Sequence, residues 1–189
     1  MLRLLSKLFF KLSGWKVVGE YPREIKKSVM TAAPHTSNWD FFYARAAFFL
    51  MGVPVRYTIK KEIMVFPFGP ILKALGAIPI DRKRSKNLAA GKKDSMVDAM
   101  VRLFDERDEL VILVTPEGTR SYAPRWKTGF YHVALNAKVP VILGYLDYKN
   151  KHAGIGPVIY PTGDVEADIE KIKNFYRDKT GKYPENGVR

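Results

Sequence analysis

His35 and Asp40 stand five residues apart in HTSNWD. A carboxylate bonded to one imidazole nitrogen fixes the ring's tautomer and leaves the other nitrogen free to take a proton. Such a pair suits proton removal from a substrate hydroxyl. The same residues also carry a structural reading. Ser37 is a good helix N-cap, and Asp40 three positions later completes an S-x-x-D capping box, whose carboxylate holds backbone N–H groups of the first turn. On that reading His35 is a polar loop residue, and spacing alone leaves both readings open.

A second stretch, VTPEGTRS over 114–121, ends an apolar run with Glu117, Gly118, Thr119 and Arg120. Gly118 permits a sharp turn. Arg120 can clamp a phosphate with its planar fork; alternatively the segment is a surface turn with a solvated arginine. In GAIPIDR, Arg82 follows Asp81, so a local ion pair competes with substrate contact. WKTGF puts Lys127 and Gly129 at a helix start, a candidate anion site. No G-x-S-x-G elbow is present, which argues against a serine hydrolase. The absence of cysteine excludes disulfides, thiolate metal sites and a cysteine nucleophile. HTSNWD lacks the paired histidines of a zinc helix.

The elements that must position these residues alternate. WKVVGE, SVMTAA, VPVRYTI, GAIPID, LVILVT, VPVILGYLD and IGPVIY read as strands; DFFYARAAFFLM, FGPILKAL, 87–107, 128–138 and 165–179 read as helices. The expectation is an α/β fold with a mainly parallel sheet of about seven strands and helices on both faces. Ligands in such sheets sit beyond the carboxyl ends of the strands, where both His35 and Glu117 fall. MLRLLSKLFFKLSGW is too short and too charged to span a bilayer and has no cleavage site. On a helical wheel Leu2, Leu5, Phe9 and Leu12 share a face, Leu4 and Leu8 flank it, and Lys7 and Lys11 lie roughly opposite. Residues 1–14 therefore read as a basic amphipathic helix, lying on a membrane or packed on the domain's own core, with one domain over 15–189.

Of the 189 residues 47% are hydrophobic and 27% charged, a globular and not a disordered composition. The net charge of +13 favours an anionic partner: a membrane, an acidic carrier, a phosphorylated substrate or nucleic acid. The last is disfavoured, because no nucleic-acid-binding motif is present and the aromatics sit in apolar runs.

HTSNWD, GAIPIDR, PEGTR and VPVI occur in the order found in the glycerolipid acyltransferase superfamily, which this chain resembles over roughly residues 28–146. The resemblance implies that His35 is a general base oriented by Asp40. It implies direct acyl transfer, without metal or cofactor, from acyl-CoA or acyl-carrier protein to a lysolipid hydroxyl. The acceptor it implies is 1-acyl-glycerol-3-phosphate; another lysolipid or an amino-acid lipid is the alternative. Arg120, Arg82, Lys61 and Lys127 would then serve the acceptor's phosphate, with Glu117, Gly118 and Thr119 shaping its site. The aromatic runs after Asp40 and Glu62 line an acyl tunnel, touch lipid or form ordinary core. Pro34 and Thr115 depart from the family's usual residues and mark a divergent branch. The expected location is cytoplasmic, peripheral on the inner face of the cell membrane.

Overall fold

The structure is a computed structural model that describes residues 1–80 and 96–189. Among them, seven strands form one sheet: β1 (Lys16–Val18), β2 (Lys27–Ala33), β3 (Val55–Lys60), β4 (Ala77–Ile80), β5 (Leu110–Val114), β6 (Val141–Asp147) and β7 (His152–Ile159), in the order β1-β7-β6-β2-β5-β3-β4. Five strands, β2 to β6, run parallel. β7 pairs antiparallel with β6, and β1 is parallel to β7, so these two run against the rest. The fold is α/β, as the alternation of elements predicts.

The helices are α1 (Leu2–Ser13), α2 (Trp39–Met51), α3 (Phe68–Ala74), α4 (Met96–Asp105), α5 (Gly129–Asn136) and α6 (Val165–Tyr176). The period of two along the central strands divides the core between the two faces. Val29, Ile112, Val141 and Leu143 pack with α4, α5 and α6. Met30, Val111 and Ile142 point the other way, toward Phe48 of α2. β2 and β5 are neighbours, yet the helix after β2 lies on one face and the helix after β5 on the other. Their carboxyl ends therefore border a crevice at a topological switch point, where α/β proteins bind ligands.

One sequence expectation changes here. The last helix ends at Tyr176, not Lys179; Tyr176 is fully buried, its hydroxyl lying 2.7 Å from the Thr31 hydroxyl and donating to the Gly144 carbonyl at 3.1 Å. The chain after it turns back toward the end of β2. In α1, the edge packed against α2 is Ser6 and Phe10, with Phe9 half-buried; the leucine stripe is not what packs. Phe9 meets Tyr43 with ring centroids 5.0 Å apart. Leu4 and Leu12 remain 72% and 78% exposed, and Leu5 and Leu8 are also open. The amino-terminal part of the expected 87–107 helix, and Arg82, lie outside the described residues.

Candidate active site

β2 ends at Ala33, and HTSNWD carries the chain over the sheet edge into α2. His35 Nδ1 lies 3.0 Å from Asp40 Oδ2. The same oxygen accepts the N–H groups of Thr36 and Ser37, both at 2.9 Å, while Oδ1 accepts the Tyr148 hydroxyl at 2.7 Å. One carboxylate thus both closes the loop and holds the imidazole. The capping differs in detail from an S-x-x-D box. Ser37 Oγ accepts the Trp39 N–H at 3.2 Å, and the N-cap position falls to Asn38. Burial works to raise the Asp40 pKa. Hydrogen bonds from His35, Tyr148 and the two backbone N–H groups outweigh it and hold the carboxyl below its usual range, so Asp40 is ionised at neutral pH. The imidazole Nε2 has no hydrogen-bond partner among the described residues.

Glu117 follows β5, the neighbour of β2. Its Oε1 accepts the His35 backbone N–H at 2.9 Å, tying the two motifs together. The residue is buried, and Oε2 finds no hydrogen-bond partner among the described residues. Burial pushes its pKa up to about 7; the backbone N–H of His35, its own N–H and the imidazole oppose that, and Asp40 adds to it. One oxygen of the Glu117 carboxyl thus holds the backbone of the His35 loop, a contact that shapes the site.

Gly118 turns the chain with φ +65°, and its N–H donates to the Thr115 carbonyl at 3.1 Å. A Cβ here would come within 2.6 Å of Lys127 Nζ, so the lysine side chain lies across the turn. The Lys127 N–H donates to the Pro116 carbonyl at 2.8 Å, just before α5 begins at Gly129. Thr119 is exposed, and its Oγ1 accepts the Ser121 N–H at 3.3 Å. Arg120 reaches across to HTSNWD, its Nη1 donating to Asn38 Oδ1. The structure therefore brings Gly118, Thr119, Arg120 and Lys127 beside the His35–Asp40 loop. Lys61 is exposed at the head of a 3-10 turn, Lys61–Ile63, beyond the carboxyl end of β3. Arg82 is outside the described residues.

Three contributions to the site escape sequence reasoning. Asn38 receives Arg120. Tyr148 reaches Asp40 from 108 residues away. The C-terminal segment straps both motifs: the Tyr183 N–H donates to Thr36 Oγ1 at 3.2 Å, and the Tyr122 N–H to Asn186 Oδ1 at 3.1 Å. The one local signal for this strap is Gly181, where a Cβ would come within 2.7 Å of the Thr36 side chain.

Between α2 and the sheet lies a cavity of about 590 Å³ with His35, Asn38 and Asp40 in its wall. Phe41, Ala44, Ala47, Phe48 and Met51 of α2 form one side, and Ala32, Val55, Leu113, Gly144 and Gly154 belong to the other. Small residues at 32, 44, 47, 144 and 154 leave this space open. Of the two aromatic runs singled out in sequence, only the one on α2 borders it. In the other, Val65, Phe66, Phe68 and Ile71 are exposed.

A His–Asp pair thus stands in the wall of an apolar cavity, at a strand-end crevice of a mainly parallel sheet. The acyltransferase family model matches residues 15–143, and the chain belongs to that family. It is 31% identical over 137 residues to the 1-acyl-sn-glycerol-3-phosphate acyltransferase of Salmonella typhimurium, covering 69% of this chain and 52% of that protein. It is 32% identical over 153 residues to the enzyme of that name from Limnanthes alba, covering 73% and 50%. The chain thus spans about half the length of these curated relatives. The crystal structure of the 1-acyl-sn-glycerophosphate acyltransferase PlsC from Thermotoga maritima shares the fold, with a TM-score of 0.59 at 17% identity over 92% of this chain and 74% of that one.

Glu117 gives stability a pH dependence of known sign. Its folded pKa of about 7 exceeds the ordinary 4.5, so between these values the folded protein keeps a proton that the unfolded chain has released. Stability therefore falls as pH rises through that window, by on the order of 3 kcal/mol for this group. Glu117→Gln keeps an acceptor for the His35 N–H and removes the titration. Urea unfolding midpoints measured from pH 4.5 to 7.5 should decline less steeply in the variant; equal slopes would show that Glu117 does not titrate there.

Proposed function

We propose that the protein transfers an acyl group from an acyl thioester to the hydroxyl of a lysolipid, with 1-acyl-glycerol-3-phosphate as acceptor and phosphatidate as product. The observation that carries this reading is the His35 ring, tied through Nδ1 to an ionised Asp40 in the wall of an apolar cavity. Nε2 takes the proton of the acceptor hydroxyl as its oxygen attacks the thioester carbonyl carbon. The new C–O bond forms, the C–S bond breaks, and the departing thiolate takes the proton back from the imidazolium. Asp40 stabilises that imidazolium without itself being protonated. The scheme uses no acyl-enzyme, metal or cofactor.

Phosphate recognition falls to Arg120, beside Asn38, and to Lys127 across the Gly118–Thr119 turn. Lys61 and Arg82 are further candidates from the sequence. The cavity has the size and lining of a site for an acyl chain, since ligand pockets typically measure about 300–1,000 Å³ and are mostly apolar. Each buried methylene contributes about 0.8 kcal/mol. The names of the relatives support the acceptor. The net charge of +13 suits the phosphates of acyl-CoA, an acidic acyl-carrier protein and an anionic membrane. Nucleic acid has no part in this reading.

A lysolipid resides in a membrane, and α1 is the proposed contact, placing the protein peripherally on the inner face of the cell membrane. Among the described residues no helix is long and apolar enough to cross a bilayer. Leu4, Leu5, Leu8 and Leu12 lie within about 100° of arc. All four are exposed while Phe10 is buried against the domain. Exposed Lys7 and Lys11 flank them. This is the pattern of a helix lying in the headgroup region.

The direct test uses purified protein with a panel of lysolipid acceptors and both classes of donor. Turnover should be greatest with 1-acyl-glycerol-3-phosphate, and His35→Ala should lower it by about 10²–10⁴-fold with the fold intact. An unimpaired variant would refute the mechanism, and preference for an acceptor without a phosphate monoester would reassign the substrate. A second experiment addresses α1. The double variant Leu4→Ser and Leu8→Ser should bind anionic vesicles at least about tenfold more weakly in co-sedimentation. Its activity on a short-chain, water-soluble acceptor should change little. Undiminished vesicle binding would move the membrane contact to another surface.

A further inference from the structure

We propose that Tyr148 is a positioning residue for the catalytic pair: its hydroxyl holds one oxygen of Asp40 so that the other stays aimed at His35. This rests on the reading of His35 as general base. Tyr148 lies beyond the segment matched to the family and belongs to none of the motifs legible in the sequence.

The hydroxyl lies 2.7 Å from Asp40 Oδ1, a length typical of a charge-assisted O–H···O⁻ bond. Burial, then the adjacent Asp40, raise the phenol's pKa well above its usual value, so the hydroxyl keeps its proton and donates. Asp40 Oδ2 already serves the imidazole and two N–H groups. A carboxylate turns easily about its last torsion, whose rotamer preference is broad. A donor on Oδ1 closes that freedom, and every oxygen of the buried carboxylate is then occupied.

The phenol itself is fixed from three directions. Trp15 meets its ring edge-on at 4.9 Å and 87°, and Tyr43 of α2 does so at 5.7 Å and 77°. Trp15 and Tyr43 stack on each other at 4.3 Å. The Tyr148 N–H donates to the Thr180 carbonyl at 2.8 Å, immediately after β6 ends at Asp147. A hydroxyl set by packing on α2, on the segment after α1 and on the C-terminal strap meets its acceptor without reorganising. Such preorganisation is what a catalytic constellation requires of its supports.

The groups facing Asp40 are the imidazole of His35, the phenol of Tyr148 and the carboxyl of Glu117, with Tyr43 next to Tyr148. Deleting the phenol oxygen removes one of the bonds that keep Asp40 ionised. Asp40 should therefore take up its proton at a higher pH, which carboxyl-carbon NMR of aspartate-labelled protein reads.

Tyr148→Phe tests this, because it keeps the ring in its aromatic cluster and removes only the hydroxyl. We expect kcat to fall about tenfold, KM for donor and acceptor to stay within about twofold, and the Asp40 titration to shift to higher pH. In the Asp40→Asn background the same substitution should cost less than about twofold, since no charge remains to be aimed. Unchanged kcat and an unchanged Asp40 titration would overturn the proposal. So would independent, multiplicative losses in the double variant, or a loss that tracks melting of the protein. If Asp40→Asn alone is fully active, the His–Asp mechanism itself fails. If Asp40→Asn is impaired and Tyr148→Phe is not, only the role of Tyr148 fails.

Discussion

A single buried carboxylate organises the site. Asp40 accepts bonds from the His35 ring, the Thr36 and Ser37 backbone and the Tyr148 hydroxyl. A buried ionised carboxyl is costly unless such donors surround it. The loop can therefore adopt few other conformations, because each would strand either the charge or the N–H groups that serve it. The restraint that stabilises the loop also sets the imidazole. Loop closure and imidazole orientation, which compete as explanations of Asp40 in the sequence, are served by one set of hydrogen bonds.

The sheet determines why this carboxylate and the arginine turn meet. β2 and β5 are adjacent and parallel, so HTSNWD and PEGTR leave the same edge side by side. Glu117 then anchors the His35 backbone through one carboxyl oxygen. Arg120 crosses to Asn38 above. α2, entering from the same loop, roofs the cavity with alanines where larger residues would fill it. The cavity wall and the His35–Asp40 pair are thus built on one strand–loop–helix unit.

What the sequence reveals is what local periodicity and spacing encode. Apolar runs bounded by Gly, Pro and charge mark the seven strands, and their alternation with helices identifies the sheet as mainly parallel. His35–Asp40 is legible because both partners lie within one turn. Tyr148 and the Thr36–Tyr183 contact are not, because they join segments more than 100 residues apart with no pattern of their own. The orientation of Glu117 is also invisible: a glutamate in a glycine turn reads as solvent-facing until its neighbour strand supplies the His35 N–H. In α1 the wheel finds the exposed leucines, but not that Ser6 and Phe10 form the packed edge, since a serine beside a phenylalanine carries no hydrophobic signal.

On the proposed mechanism Asp40 fixes the tautomer of His35 with Nδ1 protonated and Nε2 bare. Nitrogen NMR of protein labelled at histidine, followed through a pH titration, reads this directly. At a pH where the ring is neutral, Nδ1 should be protonated and Nε2 unprotonated, with that preference lost in Asp40→Ala. A neutral His35 carrying its proton on Nε2 would contradict it, since no base would then face the acceptor.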